Sequence, residues 1–457
     1  MKNIYASYEG FQYCLFDTPY IGCGVARETF AKGLLKYGTY DEYHTFFEDS
    51  AADSISRKQF LKINPYNKIL KFKRLSKLPD ANIPGYKIIH FEYLAPDKEV
   101  IFRNLVRKKN IPVTRCTYTI ATNAHLREFL DTCLLQYGGR PYDSIIVLSH
   151  AAKNVLLQYF ESLAEKSRGK ICYKGRVDII PCGIECDDFS PLDKLQARSK
   201  WGLPADAVIL LSNARIDHIS KMNYHVLLDF MASLLNTVKA NVMLVIAGAD
   251  QHNHISVLAE YAEQLGIKNN VCFIANYKGE DKMSILSSAD IFISLSDNLQ
   301  ESFGISIIEA MAAGLPVVCT DWNGYKDIVR DEFSGFRIPT VWTIEESPYD
   351  VLSSFRHPYD HSIIHRISRD VVFDMHELVE KVSLLIHNRT LRCQLGENAR
   401  SEAVSRFSLK TIIRHYEELW EELSSQAEKD LTVYDDLSSL LHYDYPRHFK
   451  SYPTEIK

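Results

Sequence analysis

The 457-residue sequence predicts an α/β protein of two Rossmann-like, doubly wound domains, each a parallel sheet with helices on both faces. Three observations predict it. Strand-like apolar runs alternate with helical stretches from Lys87 to Ile180 and again from Val208 to Thr320, and such alternation implies parallel pairing through right-handed crossovers. Val242 to Ala247 is almost wholly apolar, as a strand covered on both faces should be. Between the two series lies Pro181 to Pro204, dense in turn residues. The division expected is therefore 1–190, 191–408 and a C-terminal segment 409–457.

Asn3 to Ser7 reads as the first strand. Gly22-Cys23-Gly24 then opens a helix over Val25 to Tyr37 that Gly38 stops. This G-x-G has Arg27 where a dinucleotide fingerprint needs its third Gly, so it argues weakly for NAD. It is either a tight turn before a helix or a place where backbone N–H groups meet a phosphate. Asn64 to Pro84 is less regular, and Lys62, Lys68, Lys71, Lys73, Arg74 and Lys77 make the region basic. A solvated face is the ordinary meaning of such a run; anionic lipid headgroups or an acidic acceptor are the alternative. Strands over Lys87–Phe91, Val113–Ile120, Ser144–Ser149 and Val177–Ile180, with helices over Asp97–Lys109, Asn123–Gln136 and Ala151–Glu165, complete the first domain.

The second domain is expected to start at the strand Val208–Ser212. Its following loop, Asn213 to Ser220, carries Arg215, and Lys221 opens the next helix. Strands Val242–Ala247, Val271–Ile274, Ile291–Leu295 and Val317–Thr320 follow, with helices His254–Leu265 and Asp281–Ser288 among them. Ile344 to Val372 reads as an irregular insertion. Asp374–Asn388 and Leu391–Ser405 are helical, and Thr411–Leu423 is amphipathic with Ile412, Ile413, Tyr416, Leu419 and Trp420 on one side. Beyond Ser424 no clear element is expected.

The densest chemistry lies in Asp297 to Pro316, D-N-L-Q-E-S-F-G-I-S-I-I-E-A-M-A-A-G-L-P, which reads as the loop and helix after a buried strand. Glu301 falls in the loop or first turn and Glu309 about two turns on, at most ~12 Å apart along a helix axis. That is about the reach from a sugar, across a diphosphate, to a ribose. Between them Ser302, Phe303 and Gly304 offer backbone N–H groups at a helix start, where an anion is attracted, and Gly304 permits close approach. An E-x7-E on its own is usually a solvated helix face.

Composition narrows the class. A net charge of −5 argues against nucleic acid as a partner. No apolar run approaches the roughly 18 residues needed to span a bilayer, and Met1 to Gly10 has no secretory h-region. A cytoplasmic protein is expected, with the inner membrane face as the place where the basic run would act. The ten cysteines include no C-x-x-C pair and no zinc spacing, so they read as reduced thiols, and no metal ligand is expected. His252 and His254 read as a solvated turn.

The whole string from Glu301 to Val318 resembles the donor-site motif of retaining glycosyltransferases of the family-four type, the group 1 glycosyl transferases. P-C-G-I-E-C-D-D-F-S-P from Pro181, L-L-S-N-A-R-I-D-H-I-S-K from Leu210 and D-W-N-G-Y-K-D-I-V from Asp321 add to the resemblance. It covers Ile180 to about Trp420 well and the first domain loosely. The resemblance implies a GT-B fold, two Rossmann-like domains facing across a cleft, with a C-terminal helix crossing back to the first. It implies transfer of a sugar from a nucleotide-diphosphate sugar to a hydroxyl of a glycan, lipid-linked or small-molecule acceptor, with retention, no metal and no cofactor beyond that co-substrate. Glu301 would hold sugar hydroxyls, Glu309 the ribose, and Arg215 and Lys221 the diphosphate, with the N–H groups of Phe303 and Gly304 beside Ser302. Gly22 and Gly24 would approach the phosphate from across the cleft, and backbone near Tyr277 would meet the base. Where many relatives place a His facing the sugar, this chain has Thr117-Tyr118-Thr119; Tyr118 stands there, with His125 the other candidate. A catalytically silent subunit that binds a glycan or partner would have lost these charges, and a nucleotide-sugar epimerase would turn over donor without acceptor.

Overall fold

The first sheet has seven parallel strands: β1 (Ile4–Tyr8), β2 (Glu42–Phe47), β3 (Leu70–Arg74), β4 (Ile88–Phe91), β5 (Val113–Cys116), β6 (Ser144–Val147) and β7 (Arg176–Ile179). Their order is β3-β2-β1-β4-β5-β6-β7. The computed structural model describes residues 2–15, 22–55, 59, 63–77, 86–105, 110–135, 139–217, 219, 221–343, 362–434, 441 and 444–448. Six parallel strands form the second sheet: β8 (Val208–Asn213), β9 (Val242–Gly248), β10 (Val271–Ala275), β11 (Ile291–Ser294), β12 (Val317–Thr320) and β13 (Gly335–Ile338), ordered β10-β9-β8-β11-β12-β13. A two-stranded antiparallel ribbon, β14 (Thr340–Trp342) with β15 (Val371–Phe373), stands apart. Two doubly wound sheets make this an α/β protein of the GT-B kind.

Each sheet reverses its winding once, between β1 and β4 in the first and between β8 and β11 in the second. At such a switch point the loops leaving the two central strands run to opposite faces and open a crevice. β8 feeds the loop that carries Arg215 and Lys221; β11 feeds the loop that carries Glu301. The pairing Ile291↔Leu210 and Phe292↔Leu211 sets these two loops side by side.

Several elements depart from the sequence reading. β2 and β3 were not expected as strands. β2 is buried along its whole length although it contains Glu42, His44 and Thr45, because Glu42 accepts from His44 Nε2 at 2.9 Å and His44 Nδ1 lies 3.0 Å from the Tyr86 hydroxyl. Much of the basic run is edge strand β3. Lys71 bonds Glu42, and Lys68 Nζ donates to the Gly38 carbonyl at 2.8 Å. Lysines on an edge strand also block pairing with another chain. Lys62 lies outside the described residues. The insertion contains a helix, Ser362–Ser368, followed by β15; its first part, 344–361, lies outside the described residues.

The last long helix, Leu409–Lys429, runs past Ser424, where no element was expected. Ser408 caps it by accepting from the Thr411 N–H, and Ile184 pairs on both sides of that cap with Phe407 O and Leu409 N. From this junction the helix lies across the first domain. Its apolar side, Ile412, Ile413, Tyr416, Leu419 and Trp420, is buried. Trp420 Nε1 donates to Thr114 Oγ1 at 3.1 Å, and the Tyr416 hydroxyl meets Cys116 Sγ at 3.8 Å. Leu409 is packed so closely that a Cβ on Gly33 would lie 2.5 Å from it. All ten cysteines are free thiols. Among the described residues no helix is long and apolar enough to cross a membrane.

Candidate active site

Strand β11 ends at Ser294, and the loop after it is pinned from two sides. Ser296 Oγ donates to the Lys221 carbonyl at 3.1 Å and Asn298 Nδ2 to the Ile219 carbonyl at 2.8 Å. From the β12 side, Thr320 Oγ1 donates to Ser296 O and Trp322 Nε1 to Asn298 O. So held, Glu301 receives the ammonium of Lys221 in a direct ion pair. The buried Tyr325, whose hydroxyl lies 2.8 Å from Ser294 Oγ, reaches Glu301 Oε2 at 3.5 Å. Gly304 follows with φ of +126°, and a Cβ there would stand 2.7 Å from the Tyr325 ring. Only glycine combines that backbone angle with that neighbour. The helix it opens, Ile305–Ala312, starts four residues after Glu301 and has no side-chain cap on its first N–H groups.

Arg215 lies on the same loop as Lys221, its Nε 3.8 Å from Asp217 Oδ2. The loop is strapped to the end of β9 by Ala214 N→Ala247 O and Ile216 N→Ala249 O. That approach requires Gly248, at φ of +153°, since a Cβ would lie 1.7 Å from the Ala214 carbonyl. On the Ile305–Ala312 helix Glu309 is buried and pairs with Lys282 Nζ at 2.8 Å. Tyr277 donates its hydroxyl to Asn213 Oδ1 at 2.7 Å. Each of the two glutamates thus has a lysine partner of its own. Lys282, Asn213 and Gly248 escaped the sequence reading; a lysine opening a helix was the visible signal for the first.

Across the cleft, Ser302 Oγ donates to the main-chain carbonyl of Tyr118, two residues beyond β5. The Tyr118 ring lies 5.3 Å from the Arg27 guanidinium, which also covers Tyr13 and Tyr93. Glu92, at the end of β4, is buried beside them; burial holds its carboxyl well above the usual range against the pull of Arg27. His125 is tied to its own loop, Nε2 2.8 Å from Thr119 Oγ1 and Nδ1 2.6 Å from Thr122 Oγ1. Gly22 and Gly24 fall inside the first turn of the Gly22–Tyr37 helix, which begins earlier than Val25. Burial pushes the Cys182 thiol up, and Cys116, Glu301 and Cys23 act in the same direction. A second pair of contacts closes the domains, with His150 N donating to Asp327 Oδ2 at 2.6 Å and His150 Nδ1 lying 3.1 Å from Asp327 Oδ1.

Residues 193–347 match the family described as glycosyl transferases group 1. That stretch of the second domain is similar to a group 1 glycosyl transferase. Its curated relatives include a D-inositol 3-phosphate glycosyltransferase of Saccharomonospora viridis, 32% identical over 164 residues, covering 35% of this chain and 37% of that protein. An uncharacterised glycosyltransferase of Methanocaldococcus jannaschii is 28% identical over 227 residues, 49% of this chain and 51% of its own. The matches therefore span about a third to a half of these relatives. Among solved structures, HepE of Anabaena in complex with UDP (TM-score 0.61, 17% identity) and sucrose-phosphate synthase of Thermosynechococcus elongatus (TM-score 0.60, 16% identity) each align over 93% of this chain and all of theirs. At that identity the likeness concerns the fold, and it extends to the first domain, where the sequence resemblance was loose.

Proposed function

We propose that the protein moves a sugar from a nucleotide-diphosphate sugar to a hydroxyl of a carbohydrate or lipid-linked acceptor, retaining anomeric configuration without a metal. The observation that carries the reading is the Lys221–Glu301 pair at the switch point of the second sheet, beside the uncapped start of Ile305–Ala312. A leaving diphosphate gains negative charge as the glycosidic bond breaks. A fixed lysine, Arg215 on the same loop, and the N–H groups of Phe303 and Gly304 stabilise that charge without reorganising. Glu301 accepts hydrogen bonds from the donor sugar, and Glu309 accepts them from the ribose, charged acceptors making the stronger bonds. UDP and UDP-glucose are what the HepE structures hold, which supports a donor of this class.

The acceptor enters from the first domain, past Tyr118, and its hydroxyl attacks C1 on the face the diphosphate leaves. Its proton passes to the departing phosphate oxygen. Gly22 and Gly24 complete the phosphate side of the cleft. The protein acts in the cytoplasm, on acceptors in solution or at the inner membrane face.

Thermal shift against UDP, GDP, ADP and their sugars tests the donor class, because a ligand that binds the native state raises its melting temperature by mass action. One of these nucleotides is expected to stabilise the wild type and to lose that effect in Lys221→Met. Stabilisation by none of them, at millimolar concentration, would reject the reading.

A further inference from the structure

Glu309 occupies a buried position on Ile305–Ala312, where a carboxylate without a partner would be costly. Its partner, Lys282, is the first residue of the Lys282–Ser288 helix. A cation there faces the positive end of the helix dipole, so the helix itself does not favour a lysine at this place. The side chain is about one-third exposed, at 31%, against 7% for Glu309. The ammonium is therefore the solvent-facing member of the pair and the carboxylate the buried one. Tyr277 lies next to them, its phenol pushed up by burial and drawn back by Lys282, with its hydroxyl on Asn213 at the end of β8. Glu309, Lys282, Tyr277 and Asn213 are one polar cluster at the carboxyl ends of the central strands.

We propose that Lys282 is a specificity-determining residue that, together with Glu309, selects a ribonucleoside diphosphate over its deoxy counterpart. The inference rests on the assignment of Glu309 to the ribose. A carboxylate only accepts hydrogen bonds and an ammonium only donates them, whereas a hydroxyl does both. A ribose hydroxyl placed between the two donates to Glu309 and accepts from Lys282. A deoxy sugar leaves both charged groups short of that partner, and a site built to bond a hydroxyl rejects the analogue that lacks it.

A structural role would have Lys282 neutralise Glu309 and nothing more. The two roles separate in a ratio. Full-length wild type, Lys282→Met and Lys282→Arg are titrated calorimetrically with UDP, ADP and GDP, and the nucleotide that binds is compared with its 2′-deoxy and 3′-deoxy forms. In the wild type, at least one deoxy form is expected to bind ~10- to 100-fold more weakly than the ribonucleotide, the discrimination of one charge-assisted hydrogen bond. Lys282→Met should lose roughly tenfold in affinity for the ribonucleotide and under about threefold for that deoxy form, and Lys282→Arg should recover most of the ratio. A Met variant that is less stable yet keeps the wild-type ratio overturns the inference and leaves the donor site standing. A wild type that binds none of the three nucleotides overturns both.

Discussion

Asp297 heads the loop that carries Glu301, and it should make the second domain less stable as pH rises. Burial pushes its carboxyl from 3.8 up to about 7, against backbone hydrogen bonds from its own N–H and that of Asn223. In the unfolded chain the group ionises near 3.8; in the folded protein it keeps its proton to about 7. Unfolding in this window therefore releases a proton, and stability is lost as pH climbs through it and is level above it. Each unit is worth about 1.36 kcal/mol, so between pH 5 and pH 7 the loss is about 2–3 kcal/mol. Asp297→Asn has no such titration. Its stability relative to wild type should rise by that amount from pH 5 to pH 7 and then hold to pH 8. Urea denaturation followed by tryptophan fluorescence measures it, since Trp201, Trp322 and Trp342 all lie in the second domain. Any fixed effect of the amide cancels in the pH dependence. A wild-type-to-variant gap that stays constant from pH 5 to pH 8 would refute the reasoning.

Lys221→Met and Glu301→Gln should each lower transfer by ~10²-fold or more, the scale of removing one preorganised charge contact. Because each leaves a largely buried partner unmatched, the double variant should be more stable than Lys221→Met while remaining inactive; parallel melting and turnover measurements decide. Gly248→Ala drives a Cβ into the Ala214 carbonyl and should displace the Arg215 loop, abolishing the nucleotide thermal shift; an unchanged shift would contradict the packing. Trp420→Ala removes a fully buried ring and its bond to Thr114, at about 3–5 kcal/mol, and limited proteolysis should then attack the first domain sooner. Glu42 is held down at about 2 by hydrogen bonds from Lys2, Lys71 and His44. Its contribution is present above about pH 4.5 and lost as pH falls towards 2, so Glu42→Gln should flatten the acid limb of the stability curve.

The alternation of strands and helices was legible because parallel strands buried on both faces are mostly apolar, and β8, β9, β11 and β12 are apolar up to the polar residues that end β8, β11 and β12. β2 was not, because its buried Glu42 and His44 satisfy one another through Tyr86 and two lysines that are distant in sequence. The chain's order placed Glu301 after one strand and Lys221 after another, 80 residues apart, and composition alone could not join them. What joins them is the pairing of β11 with β8, which brings two loops to one crevice. Lys282 reaches Glu309 and Ser302 reaches Tyr118 by the same kind of encounter. Local sequence determines which segments are strand, helix or turn, since those choices are made by near neighbours along the chain. Which charges share a pocket was decided by strand order and by how the two sheets face each other, because those distances exist only after folding.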